Sequence, residues 1–284
     1  MSALQQAVDI AQERNFTVVF PEAVDDARIA AAMCLLSEQG VCNSIDVVEA
    51  MEPYIGSLVR ARGLKEGIAR RMIARPLYRA AAMVANGDAD AMVAGAITSS
   101  KSVIEAASIT IGLADGVSLP SSFFLMKFPN GRELIFADCG LNVSPDAKGL
   151  ADIARASAQA AEKLLGAARV ALLSFSTDRS GAGDNVDLVR EAAEITGYTG
   201  PVQGDAALNP AVAQLKGMGD GRANVLVFPT LDAGNIAYKL AQELAGAQAL
   251  GPILQGFRKP VCDLSRGVSV EAIAGATALT LALA

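Results

Sequence analysis

The feature that most limits what this chain can fold into is a recurring plan: a short apolar strand, a loop of small and polar residues, then an amphipathic helix. Residues 17–20 run through the loop 21–25 into a helix from Asp26, and residues 91–94 run through 95–102 into a helix that passes Ala107. Residues 170–175 lead through 176–184 to a helix over 185–196, and 224–228 lead through 229–234 to a helix over 235–244. This alternation predicts an α/β protein with mostly parallel sheets flanked by helices. It also puts each loop at the carboxyl end of a strand, where open α/β sheets bind ligands. Residues 123–128, Pro129-Asn130-Gly131 and residues 133–137 break the rhythm and read as an antiparallel hairpin. A lobe boundary is expected beside it. Residues 1–122 and 259–284 then form one discontinuous α/β domain and residues 123–258 a second, with the return after Gly251-Pro252.

A chain of 284 residues sits near the length at which single cores divide, which suits two lobes. A composition of 52% apolar, 19% charged and 5% aromatic residues describes a globular chain and excludes a disordered one. The net charge of −6 argues against a nucleic-acid partner, which needs a broad basic surface. The first residues are helical in pattern and carry Asp9 and Glu13, so they lack the order of a signal peptide. The apolar run 276–284 is far shorter than the ~20 residues of a membrane span and reads as a buried last helix. Cys34, Cys42, Cys139 and Cys262 form no CxxC pair and no metal-knuckle spacing, which fits a reducing cytoplasm and predicts no metal site. There is no histidine. That excludes Ser-His-Asp and Cys-His nucleophile systems, histidine metal sites and a histidine base.

Several loops could carry chemistry. Lys259-Pro260-Val261-Cys262-Asp263-Leu264-Ser265-Arg266-Gly267 sets a guanidinium, which binds phosphate through paired hydrogen bonds, beside a hydroxyl and a glycine. The same stretch reads equally as the approach to a helix capped by Ser269, with Arg266 solvated. The loop from Ser174 to Gly183 offers hydroxyls, Arg179 and two glycines before a helix, either an anion site on backbone amides or a plain connector. It has neither a Walker lysine nor the third glycine of a dinucleotide fingerprint. Asn235 reads as a helix N-cap, as a donor to a ligand carbonyl, or both. Thr98-Ser99-Ser100-Lys101 is a further hydroxyl-rich loop, and Cys139 after an apolar strand is either a small core residue or a thiol nucleophile. Arg60, Arg62, Lys65, Arg70, Arg71, Arg75 and Arg79 crowd one span. Arg71, Arg75 and Arg79 are expected to share one helical face, making a solvated face, a subunit contact or an entrance for a polyanion.

Taken in order, these segments resemble the phosphate acetyl/butyryl transferase family, closest to its acetyltransferase branch. The resemblance covers most of the chain. It is carried by Gly87-Asp88-Ala89-Asp90-Ala91-Met92-Val93-Ala94-Gly95-Ala96, Gly116-Val117-Ser118, Ser122-Phe123-Phe124-Leu125-Met126 and Phe136-Ala137-Asp138-Cys139. It continues in Leu173-Ser174-Phe175-Ser176-Thr177, Gly234-Asn235-Ile236-Ala237-Tyr238-Lys239, Gly251-Pro252-Ile253-Leu254-Gln255-Gly256 and Asp263-Leu264-Ser265-Arg266-Gly267.

The resemblance implies a two-lobed enzyme with its active site in the cleft between lobes, usually a homodimer, without a tightly bound cofactor. Its substrates would be coenzyme A, acyl phosphate and phosphate, with the thiol attacking the acyl carbonyl as phosphate leaves. Carried over residue by residue, Ser265 and Arg266 match the family's active-site serine and arginine. Arg266 would hold the phosphate, and Ser265 would hydrogen-bond the thiol or the developing oxyanion. Thr177, Ser180 and Asn235 match loops facing the cleft, and with Ser99 and Lys239 they are the expected substrate-binding residues.

The chain departs from the family in places. The aspartate seven residues past the serine, proposed as the thiol base, is Ala272, next to Glu271. The His-Ser-Thr loop with a following Asp and Arg is Thr98-Ser99-Ser100 with Ser102 and Glu105, and an arginine of the later helix is Glu243. Candidate proton acceptors are then Asp138, Glu271 or the phosphate itself. Beside an active acetyl or other short-chain acyltransferase stand a diverged member that binds coenzyme A or a protein without turnover, and, more remotely, an α/β dehydrogenase.

Overall fold

In a computed structural model, residues 2–284 are described, and the chain divides into two compact units, residues 1–118 with 251–284 and residues 119–250. The return to the first unit falls at Gly251, inside a strand, and not at Lys259.

The first unit opens with α1 (Ala3–Arg14), capped by Ser2, whose hydroxyl accepts the Gln5 amide, and stopped by Asn15 in the left-handed region. Strand β1 (Thr17–Val19), α2 (Ala27–Glu38) and β2 (Asn43–Ile45) form the first βαβ passage. Helices α3 (Glu52–Arg62), α4 (Glu66–Ile73) and α5 (Pro76–Asn86) precede β3 (Ala91–Ala94) and α6 (Ser100–Thr110). The break between α4 and α5 corrects the expectation of one face for Arg71, Arg75 and Arg79. Pro76 starts a new helix and holds Arg75 extended, so the arginines belong to two helices and the segment between them. Several basic side chains of this span already have protein partners. Arg70 pairs with Glu52 and Glu66, Arg62 donates to the carbonyls of Ser108 and Ile109, and Arg75 lies over the Tyr78 ring.

In the second unit the expected hairpin is present: β4 (Ser121–Lys127) pairs antiparallel with β5 (Glu133–Ala137). Then come α7 (Ala147–Leu165), β6 (Val170–Leu173), α8 (Asp184–Thr196) and β7 (Thr199–Val202). After them follow α9 (Gly204–Leu208), α10 (Pro210–Lys216), β8 (Val225–Val227) and α11 (Leu231–Ala245). The strand order is β4-β5-β8-β6-β7, parallel from β5 onward. Its core includes Phe124 stacked on Tyr238 at 4.2 Å, and Phe136 against Phe228.

Strand β9 (Gln248–Gln255) carries the chain back to the first unit, where β10 (Val261–Asp263) lies parallel to β3 and antiparallel to β9. The order there is β2-β1-β3-β10-β9. The last helix, α12 (Val270–Ala282), is buried from Ile273 to Ala282, as its apolar run predicts. Its buried hydroxyls are satisfied within the helix, Thr277 donating to the Ile273 carbonyl and Thr280 to that of Ala276. Ala3, Ala7 and Ala11 give α1 a narrow buried face, and α1 packs on α12. Each large aliphatic buried here, such as Leu279 or Leu281, contributes about 1.5–3 kcal/mol.

Candidate active site

In the first unit the loops after β1, β3 and β10 all leave the carboxyl ends of parallel strands and meet. Glu22, 3% exposed, anchors them. One of its carboxylate oxygens accepts the amides of Gly95 and Ala96 at 2.9 and 2.8 Å, and the other accepts those of Ile97 and Thr98 at 3.4 and 2.8 Å. Four amides turned inward on one anion make a nest that belongs to the protein itself. The loop 95–98 therefore spends its donors on Glu22 and does not offer them to a ligand.

Arg28 ties the same loops together. Its Nη1 donates to the carbonyls of Arg266 and Val268 at 2.8 and 3.0 Å, and its Nη2 to the Ala96 carbonyl at 3.4 Å and to Asp26 at 2.6 Å. Asp26 also caps α2, and the Arg28 hydrogen bond holds its carboxyl below the usual carboxylate range.

Beyond Leu264 the turn runs Ser265-Arg266-Gly267, with all three residues exposed. Ser269 caps α12 by accepting the Ala272 amide, so the helix-cap reading of this stretch is correct in its geometry. Two residues before Ser265, Asp263 is 1% exposed. Burial pushes its carboxyl up to about 7, helped by the nearby Glu22 charge and opposed by a hydrogen bond from Ser100. Its Oδ1 has no partner among the described residues. Ser99 caps α6, accepting the Ser102 amide and meeting the Ser102 hydroxyl at 3.0 Å. Glu271 is exposed, and its own backbone amide and Ser269 hold it below the usual range, which makes it a weak proton acceptor.

In the second unit Asp138 organises the loop after β5. Its carboxylate accepts the Ser122 hydroxyl, the amides of Gly140, Leu141 and Asn142 at 3.0, 3.2 and 3.0 Å, and the Asn142 side-chain amide. With its oxygens engaged by these donors, Asp138 is a loop anchor. Cys139 is fully buried, and burial together with the Asp138 charge pushes its thiol well above the usual range. It is a core residue and no nucleophile. The Asn235 side-chain amide donates to the Cys139 carbonyl at 3.2 Å. Its expected N-cap role is corrected: α11 starts a turn earlier, capped by Thr230, so Asn235 lies inside the helix.

The loop after β6 is closed by its own hydroxyls. Ser180 Oγ accepts the Thr177 amide at 3.0 Å, and Ser176 Oγ accepts the Gly181 amide at 2.8 Å. Thr177, 5% exposed, bonds Gln203 on the neighbouring loop, accepting its amide and donating to its side-chain oxygen. Thr177 therefore holds the loop, whereas Ser180 is exposed. Asp184 and Asp187 in the first turn of α8 oppose an anion there, against the expected amide site. Lys239 is exposed, its ammonium 5.0 Å from the Tyr238 ring.

The signature of the family described as Phosphate acetyl/butaryl transferase matches residues 43–281. The chain belongs to that family. Among its relatives, the phosphate acetyltransferase of Acetivibrio thermocellus is 38% identical over 324 aligned positions, covering 99% of this chain and 97% of the relative. The alignment is longer than the 284-residue chain, so the relative carries segments this family member lacks. A phosphotransacetylase from Streptococcus pyogenes superposes with a TM-score of 0.91 at 33% identity, covering 99% of this chain and 97% of that one. The EutD phosphotransacetylase from Staphylococcus aureus gives 0.89 at 33% identity, with the same coverage.

Within this phosphate acetyl/butaryl transferase, the first unit brings Ser265, Arg266 and Ser99 onto loops linked by Arg28. The second holds Asn235 beside Asp138 and Cys139, with Thr177 and Ser180 on a separate loop. Sequence reasoning passed over Glu22 and Arg28. A signal existed in Pro21-Glu22, an acidic residue ending a strand in an apolar setting, but its partners lie more than seventy positions away. Among the described residues no three acidic or cysteine side chains gather to hold a metal, and no helix is long and apolar enough to cross a membrane.

Proposed function

We propose that this chain moves an acetyl group reversibly between coenzyme A and inorganic phosphate: acetyl-CoA + phosphate = acetyl phosphate + CoA. The observation that carries the reading is the adjacent, exposed Ser265 and Arg266 on the turn after β10, in a chain of this family. The planar fork of Arg266 binds the phosphate oxygens, and Ser265 donates to the thiol sulfur or to the oxyanion that develops on the carbonyl. The sulfur attacks the carbonyl carbon, the bond from that carbon to the phosphate oxygen breaks, and phosphate leaves.

The proton balance requires no protein base. Acetyl phosphate dianion plus a thiol gives a thioester plus hydrogen phosphate, so the thiol proton departs on the product. This suits a chain in which Ala272 stands where the family has its aspartate, Asp138 is engaged by hydrogen bonds, and Glu271 is a weak acceptor. On this reading Ser180, Asn235, Ser99 and Lys239 contact substrate, Thr177 supports Ser180, and coenzyme A is a substrate with no tightly bound cofactor beside it.

We read the enzyme as cytoplasmic, consistent with four free thiols, and as a homodimer. Ile236, Leu240 and Leu244 support the dimer: they are 57%, 52% and 81% exposed and fall one turn apart on the solvent face of α11. Antiparallel packing of this stripe on a second copy would set each Lys239 across from a Glu243.

The test is direct. Purified protein with acetyl phosphate and coenzyme A should form thioester, and acetyl-CoA with phosphate should release free thiol. Absence of turnover in both directions across short-chain acyl phosphates, with an active relative run beside it, would sink the reading.

A further inference from the structure

The turn that carries Ser265 and Arg266 is weakly held by its own residues. Ser265, Arg266 and Gly267 are exposed, and a β-carbon on Gly267 would meet nothing within 4 Å. Within the turn the Val268 amide donates to the Ser265 carbonyl at 3.1 Å. At its start the Leu264 amide donates to the Ala94 carbonyl at 2.6 Å. Between these points the side chain that reaches the turn is Arg28, through the carbonyls of Arg266 and Val268.

We propose that Arg28 is a positioning residue for acyl transfer, fixing the Ser265-Arg266 turn against the Glu22-anchored loop so that the serine hydroxyl and the guanidinium stand in one arrangement. The inference rests on the functional reading above. Arginine has five N–H donors in a rigid plane, and here all are used. Nε donates to Asp26, Nη1 to Arg266 and Val268, and Nη2 to Asp26 and Ala96. Asp26 fixes the plane of the fork, and the fork fixes the carbonyls. Ala96, the third point of attachment, is itself held by Glu22 through its amide. The chain of restraint therefore runs from a buried carboxylate, through the loop after β3 and Arg28, to the backbone of Arg266 and of Val268, whose amide in turn holds the Ser265 carbonyl. Lysine at this position would keep the charge and the Asp26 contact, but three donors on one nitrogen cannot span carbonyls on two loops.

The experiment compares wild type with Arg28→Lys and Arg28→Ala by steady-state kinetics and by amide hydrogen exchange of peptides covering residues 264–268. In Arg28→Lys, kcat should fall about 10- to 100-fold, the scale of a misplaced catalytic group, with a smaller change in KM for coenzyme A. Exchange at 264–268 should speed up while the Glu22-held amides at 95–98 keep their protection. Millimolar ethylguanidinium should restore part of the turnover of Arg28→Ala without moving its thermal midpoint, whereas rescue of a folding lesion would raise both. Unchanged exchange at 264–268, or faster exchange with wild-type kcat, overturns the proposal. If wild type itself does not turn over, the functional reading fails. The exchange comparison then still decides whether Arg28 holds the turn.

Discussion

A β-carbon placed on Gly95 would stand 2.5 Å from Oδ1 of Asp263 and 2.6 Å from the amide nitrogen of Leu264. Gly95 also has φ +108, a conformation that side chains resist. The backbone after β3 is thus pressed against the strand that leads to Ser265, and only glycine permits it. Gly95→Ala should lower stability by about 2–4 kcal/mol, read as a fall in the urea midpoint with an unchanged slope. A variant as stable as wild type would mean that the two loops are not in contact.

Asp263 should make stability depend on pH in an unusual sense. Its folded pKa of about 7 lies above the ordinary 3.8, so the folded protein holds this proton more tightly than the unfolded chain. The stability present below about pH 4 is therefore lost as pH rises through 7, by on the order of 4 kcal/mol for this group. Asp263→Asn removes the penalty. Urea melts should show the variant gaining on wild type between about pH 4 and about pH 7, and parallel curves would refute the assignment.

Arg266→Gln should reduce kcat/KM for phosphate about 10²–10³-fold, because the charge that holds the transferred group is gone. Ser265→Ala should cost less, about 10- to 100-fold, and should act on kcat more than on KM. Both side chains are exposed, so both variants should melt close to wild type. Equal activity of wild type and Arg266→Gln would remove Arg266 from the mechanism.

Thiol reagents separate a core cysteine from a nucleophile. Cys34 is exposed, whereas Cys42, Cys139 and Cys262 are buried, and burial holds Cys262 up to about 12. Native protein should titrate a single thiol with a chromogenic disulfide. Cys34→Ser should abolish that signal without changing turnover. Rapid modification of Cys139, detected by peptide mapping, would contradict its buried, protonated state.

Leu240→Asp tests the exposed stripe of α11. Light scattering should report a dimer for wild type and a monomer for the variant at micromolar concentration, since a charge at the centre of an apolar contact is costly to bury. A wild-type monomer, or a variant that stays dimeric, would assign the stripe no such role.

Much of the fold could be read because it is local. The strands near Thr17, Ala91, Val170 and Val225, the hairpin at 121–137 and the capped, buried last helix all follow from periodicity and turn chemistry within short windows. The α4–α5 break was also local, written in Arg75-Pro76, and was missed because the arginine spacing suggested a continuous face. The candidate site was legible only in outline. Ser265, Arg266 and the loops came from a resemblance, but what each loop does with its donors depends on partners distant in sequence. Glu22 claims the amides of 95–98, Gln203 claims the Thr177 hydroxyl, and Thr230, outside the expected helix, displaces Asn235 as the cap. No spacing rule encodes such pairings.

The strand order of the first unit reverses the usual sequence of events during synthesis. Strand β10 sits between β3 and β9, yet it is made after the whole of the second unit, and α1 packs on α12, which is made later still. While the ribosome is still translating residues 119–250, β3 has an open edge and the alanine face of α1 has no cover. The inserted unit can mature as a nascent chain, but the first unit waits for residues 251–284. The topology thus leaves the β3 edge and the alanine face of α1 without cover until β10 and α12 emerge, and loss of α12 would uncover α1 again.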